Sequence, residues 1–304
     1  MAKKPQSKAG RPSPRSFPAQ ASVGNAAPPV TISGRWLAWA LLIALSLAAV
    51  SAYATLALLF YQGQWQLVLH PSKTITATPA SRGLKFDEIR FDYTETGAAQ
   101  LTGWWIPADA GTRWSQSTLL YLHDGHGSLS DYVDDLATLH SLGINVFAFD
   151  YRGFGRSAGA RPLEKRMRED ANAAWVYLTD TRHVDPKAIV IYGTGVGASL
   201  AVELTARRGS AGVILDSPSE PAREIIGKDA RAKILPLRML LTERFDPAET
   251  LKNLTVPKLF LDRDGRRART EELYRLAAFP KEYFELKPGA YEETVRRFLD
   301  EVLP

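Results

Sequence analysis

Gly193-Thr194-Gly195-Val196-Gly197-Ala198 is the stretch whose residue types and spacing come nearest to chemistry. It follows the apolar run Ala188 to Ile191 and precedes Ala198 to Arg208, where Leu200 and Leu204 share one helical face. A tight strand-to-helix turn of this kind serves either of two chemistries. In Gly-x-Ser-x-Gly it lifts a serine nucleophile, and here Gly195 stands at the serine position. In Gly-x-Gly-x-x-Ala it lays backbone amides against a dinucleotide pyrophosphate, and Asp216, ending the next strand, would hold the ribose. Taken locally, the pattern fits the dinucleotide better. A second cluster, His123-Asp124-Gly125-His126, brings two imidazoles and a carboxylate together. That set is conceivable for a metal, but any further ligand would have to be guessed, and the plainer reading is a structural loop histidine beside a surface one. Neither a metal nor another cofactor is expected.

Composition narrows the classes. Residues 1–35 hold six basic and no acidic side chains, so a chain of net charge +5 leaves about −1 for everything that follows. The folded part is therefore no basic nucleic-acid surface. Cysteine is absent, which rules out disulfides and thiolate metal sites.

The elements that must position the turn follow in order. Residues 1–35, rich in Pro, Ser and Ala, read as a disordered basic tail. Trp36 to Phe60 is 25 residues without a charge, so 36–61 is expected to span a bilayer, with Trp36, Trp39, Tyr61 and Trp65 at the interfaces. A cleaved signal is the competing reading, through Ala52-Tyr53-Ala54, but the apolar run continues past that point. The basic tail would remain in the cytoplasm, leaving the C-terminal domain periplasmic on a single-pass inner-membrane anchor.

Residues 62–84 read as a linker and 85–304 as the domain. Alternation at Phe86 to Tyr93 and Leu101 to Pro107 predicts a hairpin around Thr94 to Gly97. Further strands are expected at Ser117 to Leu122, Asn145 to Phe149, Gly212 to Leu215, Lys258 to Leu261 and Tyr283 to Leu286. Helices are expected at 131–141, 164–181, 271–278 and 292–302. Ser219 to Leu251, broken by Pro221, Pro236 and Pro247, reads as a helical excursion.

At Asp150-Tyr-Arg-Gly-Phe-Gly-Arg-Ser157 the chain resembles the α/β-hydrolases, in the membrane-anchored branch near the serine aminopeptidases and monoacylglycerol lipases. The loop at His123, the helix with Glu169-Asp170, the turn at Gly195 and Arg244-Phe245-Asp246 ahead of Val256-Pro257 extend that resemblance from about Leu69 to Leu303. It implies an α/β-hydrolase fold, a mostly parallel sheet flanked by helices, after one N-terminal transmembrane helix. Several strands precede the glycine turn, whereas a dinucleotide fingerprint normally opens its domain.

The resemblance also assigns roles, and the residues depart from them. Gly195 takes the nucleophile position, and Gly193, Thr194 and Gly197 complete the elbow. A histidine should follow the last strand near Pro288-Gly289-Ala290, where Tyr291 and Glu292 stand instead. All five histidines precede the elbow. The orienting acid falls on Asp264 with a short deletion, or on Arg266 without one. His123, Asp124, Gly125 and Val196 would form the oxyanion pocket, with a carboxylate where the family has glycine. The expected function is a pseudohydrolase that binds a small molecule or protein partner in the old pocket. The alternatives are an active esterase using Tyr291, Asp124 and a nearby hydroxyl, or dinucleotide binding at Gly193 to Ala198.

Overall fold

Short runs of β-branched and aromatic residues such as Ile189-Val190-Ile191-Tyr192 have no polar face to leave in water, so they must be covered on both sides. The computed structural model, which describes residues 33–91, 100–159, 161–263, 265–285 and 289–304, places them at the centre of one sheet. In chain order the strands are β1 (His70–Pro71), β2 (Asp87–Phe91), β3 (Leu101–Ile106), β4 (Trp114–Leu122), β5 (His126–Gly127), β6 (Ile144–Asp150), β7 (Ile189–Thr194), β8 (Gly212–Asp216), β9 (Lys258–Asp262) and β10 (Lys281–Glu285). Eight of them form a sheet in the order β10-β9-β8-β7-β4-β6-β3-β2. β3 is antiparallel to both its neighbours, and the remaining pairs are parallel. The predicted α/β-hydrolase sheet is thus present, with β7 near its middle.

The helices are α1 (Gly34–Gly63), α2 (Val133–Ser141), α3 (Glu164–Val176), α4 (Val196–Arg208), α5 (Ala222–Gly227), α6 (Leu237–Leu240), α7 (Ala248–Leu251), α8 (Arg267–Leu276) and α9 (Tyr291–Val302). Side-chain alternation divides the core in two. Leu120 and Ile191 face a cluster with Leu200 and Ala201 of α4 and Ala174 of α3. Tyr121 and Tyr192 face the opposite cluster, with Leu136 of α2 and Phe298 of α9. Residues up to Ala52 form a unit separate from Tyr53–Pro304. The helical stretch beginning at Gly34 is long and apolar enough to cross a membrane.

Two expectations need correction, and a third needs detail. Residues 62–84 are not a loose linker: Val68 and Leu69 are buried, and His70 pairs with His126 as β1 joins β5. Leu67-Val68-Leu69 is too short an apolar run to show a period, and the space left by Gly125 receives Leu69. The helix expected over 164–181 keeps those bounds, its last turn, Tyr177–Thr181, wound as a wider π turn. The helix expected at 271–278 begins earlier, at Arg267. The hairpin's two strands pair as predicted, while its turn at Thr94 to Gly97 lies outside the described residues. The excursion contains only short helices and turns, as its prolines require.

Candidate functional site

The glycine turn closes β7 onto α4 with Gly195 at its apex, at φ 59° and ψ −121°. This left-handed geometry strains any residue with a Cβ, and glycine relieves it. Gly193 and Gly197 are small for a different reason. A Cβ at 193 would strike the backbone of Gly197 and Ala198, and one at 197 would strike the Leu122 carbonyl. The three glycines therefore follow from the packing of strand, turn and helix.

A Cβ at Gly195 would fall inside the carboxylate of Asp124. That carboxylate, from the loop after β4, occupies the space over the apex. Its Oδ1 accepts the Gly125 amide at 2.7 Å and the Val196 amide at 2.8 Å. Two backbone donors converging on one oxygen at this range is the geometry of an oxyanion hole, here filled by the protein's own anion. Asp124 is what these two amides converge on. Burial acts to raise its carboxyl, but His126, the Val196 amide, Arg266 and the Gly125 amide together hold it at about 2. Arg266 Nη2 is 3.3 Å from Oδ2, and His126 Nδ1 is 3.6 Å away. Arg266 also donates to the Ser217 carbonyl and Ser219 Oγ, each at 2.9 Å, so a cation lies near where an orienting acid was sought. Asp264 lies outside the described residues.

His123 is wholly buried. Its Nδ1 is 2.6 Å from the Asp124 carbonyl, and its ring packs against Tyr132, Tyr151 and Phe154. Burial lowers it to about 4 despite that hydrogen bond, so the imidazole is neutral near pH 7. Asp124 raises His126, which stacks on His70 with ring centroids 4.9 Å apart. Among the described residues no three His, Cys, Asp or Glu side chains gather as a metal would require. Thr194 and Ser199 are both buried, and neither hydroxyl stands at the apex.

Tyr291 is engaged elsewhere. Its hydroxyl donates to Tyr192 at 3.0 Å, and Tyr192 donates to Asp216. Arg263 Nε reaches Asp216 at 2.6 Å, and its two terminal nitrogens grip Asp135 at 2.8 and 2.9 Å, where Tyr121 also donates at 2.9 Å. Burial raises the Asp216 carboxyl although Arg263, Tyr192 and Ser217 pull it down. Asp216 is thus fully buried and bonded, not open to a ribose. The amide of Val196 that a pyrophosphate would take is already given to Asp124. Both findings count against the dinucleotide reading. Arg263 was missed from sequence: an arginine in a charged turn looks solvated, and only the fold carries it to Asp135, 128 positions away.

A family model described as serine aminopeptidase, S33, matches residues 115–268. An uncharacterized protein of Mycobacterium tuberculosis is 32% identical over 217 residues, covering 66% of this chain and 75% of that one. The human alpha/beta hydrolase domain-containing protein 17B is 30% identical over 147 residues, 47% of this chain and 48% of that protein. Among solved structures, a Pyrococcus furiosus esterase superposes with a TM-score of 0.58 at 19% identity, covering 78% of this chain and 99% of its own. An alpha-beta hydrolase of Vibrio vulnificus gives 0.56 at 22%, covering 73% and 81%.

Proposed function

Because this chain belongs to the α/β-hydrolase superfamily, in its serine aminopeptidase S33 family, we propose that it keeps the hydrolase scaffold without the serine chemistry and serves as a membrane-anchored binding protein. One observation carries the reading: the Asp124 carboxylate sits where a nucleophile's side chain would begin and takes both amides that would stabilise an acyl-transfer intermediate. A fixed anion there repels the negative charge that such a reaction must develop. No histidine follows the elbow to accept a proton. The constellation of Tyr291, Asp124 and a hydroxyl lacks support, because Tyr291 and Asp124 are bonded into separate networks.

The ligand or partner would meet the open side of Asp124, where Arg266 and His126 reach solvent and present alternating charge. In this reading α1 is a single-pass anchor in the inner membrane, the basic N-terminal segment cytoplasmic and the domain periplasmic. Hydrolysis of short and medium acyl p-nitrophenyl esters by the full chain tests the first part, with fluorophosphonate labelling alongside. The expected rate equals that of the heat-denatured protein. Turnover that disappears in Asp124→Ala would overturn the proposal. Protease digestion of intact and permeabilised cells tests the orientation: the domain should be cut only after the outer barrier is opened.

A further inference from the structure

The excursion is fastened at three points to the last turns of α1 and the residue that follows it. Tyr53 Oη donates to the Ile234 carbonyl at 3.1 Å. The Arg231 guanidinium lies 5.7 Å from the centre of the Phe60 ring. Gln64, almost fully buried, donates to the Leu240 carbonyl at 2.8 Å and accepts the Thr242 amide at 3.1 Å. The excursion therefore runs back along the helix towards its N-terminus, from Thr242 beside Gln64 to Ile234 beside Tyr53.

Tyr53 belongs to the uncharged run that ends at Phe60. Seven helical residues separate them, roughly 10 Å along the axis. The whole run rises roughly 37 Å, against about 30 Å of hydrocarbon, an excess of only roughly 7 Å. Even if all of that excess projected beyond the C-terminal end, Tyr53 would lie inside the hydrocarbon boundary. Ile234 shares its level. A tyrosine hydroxyl at that depth needs a protein acceptor, and the Ile234 carbonyl is one.

The surface chemistry agrees. Ile234 is 61% exposed and Met239 84%, which is costly in water and favourable in lipid. Lys233 and Arg238, both exposed, alternate with them in sequence, and long basic side chains at an interface lay their stems along the acyl chains and their charges among the phosphates. We infer that residues 230–241 form a second membrane contact, a lipid-embedded shelf with Ile234 and Met239 in the acyl region and Lys233 and Arg238 on anionic headgroups. The inference rests on α1 being a membrane anchor. It adds a second stretch of the chain, besides α1, that meets lipid.

The absence of cysteine makes the test direct. Single cysteines replace Met239, Val50 and Ser141 in the full chain, each is labelled with an environment-sensitive nitrobenzoxadiazole dye, and the protein is reconstituted in phosphatidylcholine vesicles with or without phosphatidylglycerol. Doxyl-labelled lipids then quench whatever dye they touch. The expected result is several-fold stronger quenching at 239, by a shallow doxyl group, than at the exposed α2 position 141, with deep quenching at 50. Strong quenching at 50 with 239 no better than 141 would leave the anchor intact and overturn the shelf. No quenching at 50 would remove the anchor reading and the shelf with it. In phosphatidylglycerol vesicles, Lys233→Glu with Arg238→Glu should at least halve the quenching at 239. An unchanged value would overturn the headgroup part of the inference.

Discussion

Two carboxylates at the C-terminal ends of the strands on either side of β7 have opposite surroundings. Asp124, after β4, faces Arg266 and His126, whose side chains are 32% and 56% exposed. Asp216, ending β8, is enclosed by Tyr192, Ser217 and Arg263, with its side chain 1% exposed. Both carboxylates are paired, so neither is an isolated charge left to find a reaction. The difference is in what can be exchanged. A ligand anion can compete for Arg266 and a ligand cation for Asp124, whereas nothing reaches Asp216 without unpacking Tyr291 and Tyr192. The first cluster is open to exchange with solvent, and the second is cross-bracing.

That contrast can be broken most severely at the brace. Asp216→Ala should cost about 3 kcal/mol: the buried Tyr192 and Ser217 hydroxyls lose their acceptor, and Arg263 loses one of its two carboxylate partners while keeping Asp135. Denaturant unfolding of the full chain in detergent checks it, and a loss below about 1 kcal/mol would mean that the network is not holding the loops. At the elbow, Gly195→Ser introduces both a left-handed β-carbon and a collision with Asp124, so a loss of about 2–3 kcal/mol is expected. Adding Asp124→Gly should recover the collision part, and a double-mutant cycle reads the coupling directly. Additive losses would show that the two positions do not share that space.

A third prediction concerns His123 and Asp150, whose Nε2 and Oδ1 lie 3.8 Å apart. Burial lowers His123 to about 4 and raises Asp150 to about 6. The histidine contributes stability that is full above its unfolded value near 6.5 and is lost as pH falls towards 4. The aspartate does the reverse: its penalty is full above about 6 and is relieved as pH falls towards its unfolded 3.8. The two windows overlap and oppose each other. Asp150→Asn should therefore lose stability steadily between pH 6.5 and 4, while His123→Phe should gain it between pH 6 and 4. Parallel profiles for the two variants would sink the idea. The smallest effect belongs to Arg266→Ala, about 0.5 kcal/mol, because its guanidinium is a third exposed and its pairing is screened by water.

The sheet was legible because Ile189-Val190-Ile191 and Val213-Ile214-Leu215 are apolar on both faces, and such runs have few other places to go. The elbow was legible because three glycines at spacing two have a steric cause within the turn itself. What joins distant segments was not legible. The bond from Asp124 to the Val196 amide spans 72 positions, and the notion of an anion disfavouring its own pocket stopped short of that anion filling it. Tyr291 was located correctly in the chain at the start of α9, but its hydroxyl partner lies 99 positions earlier, on a strand face that periodicity could not orient. Leu67-Val68-Leu69 was too short a run to be placed by periodicity, although Leu69 packs against Gly125. Periodicity reports what a segment buries, not which distant segment it meets.

The overlap between a side chain at 195 and the carboxylate at 124 also has a bearing on history. It sets the order in which mutations could restore a nucleophile. Residue 124 would have to shrink before any β-carbon at 195 fits, and shrinking it alone strips two amides and a guanidinium of their acceptor while restoring no reaction. Under the proposed non-catalytic reading neither first step confers an activity, and the pair behaves as a ratchet: simple to enter by relaxing a strained turn, and hard to leave by single substitutions.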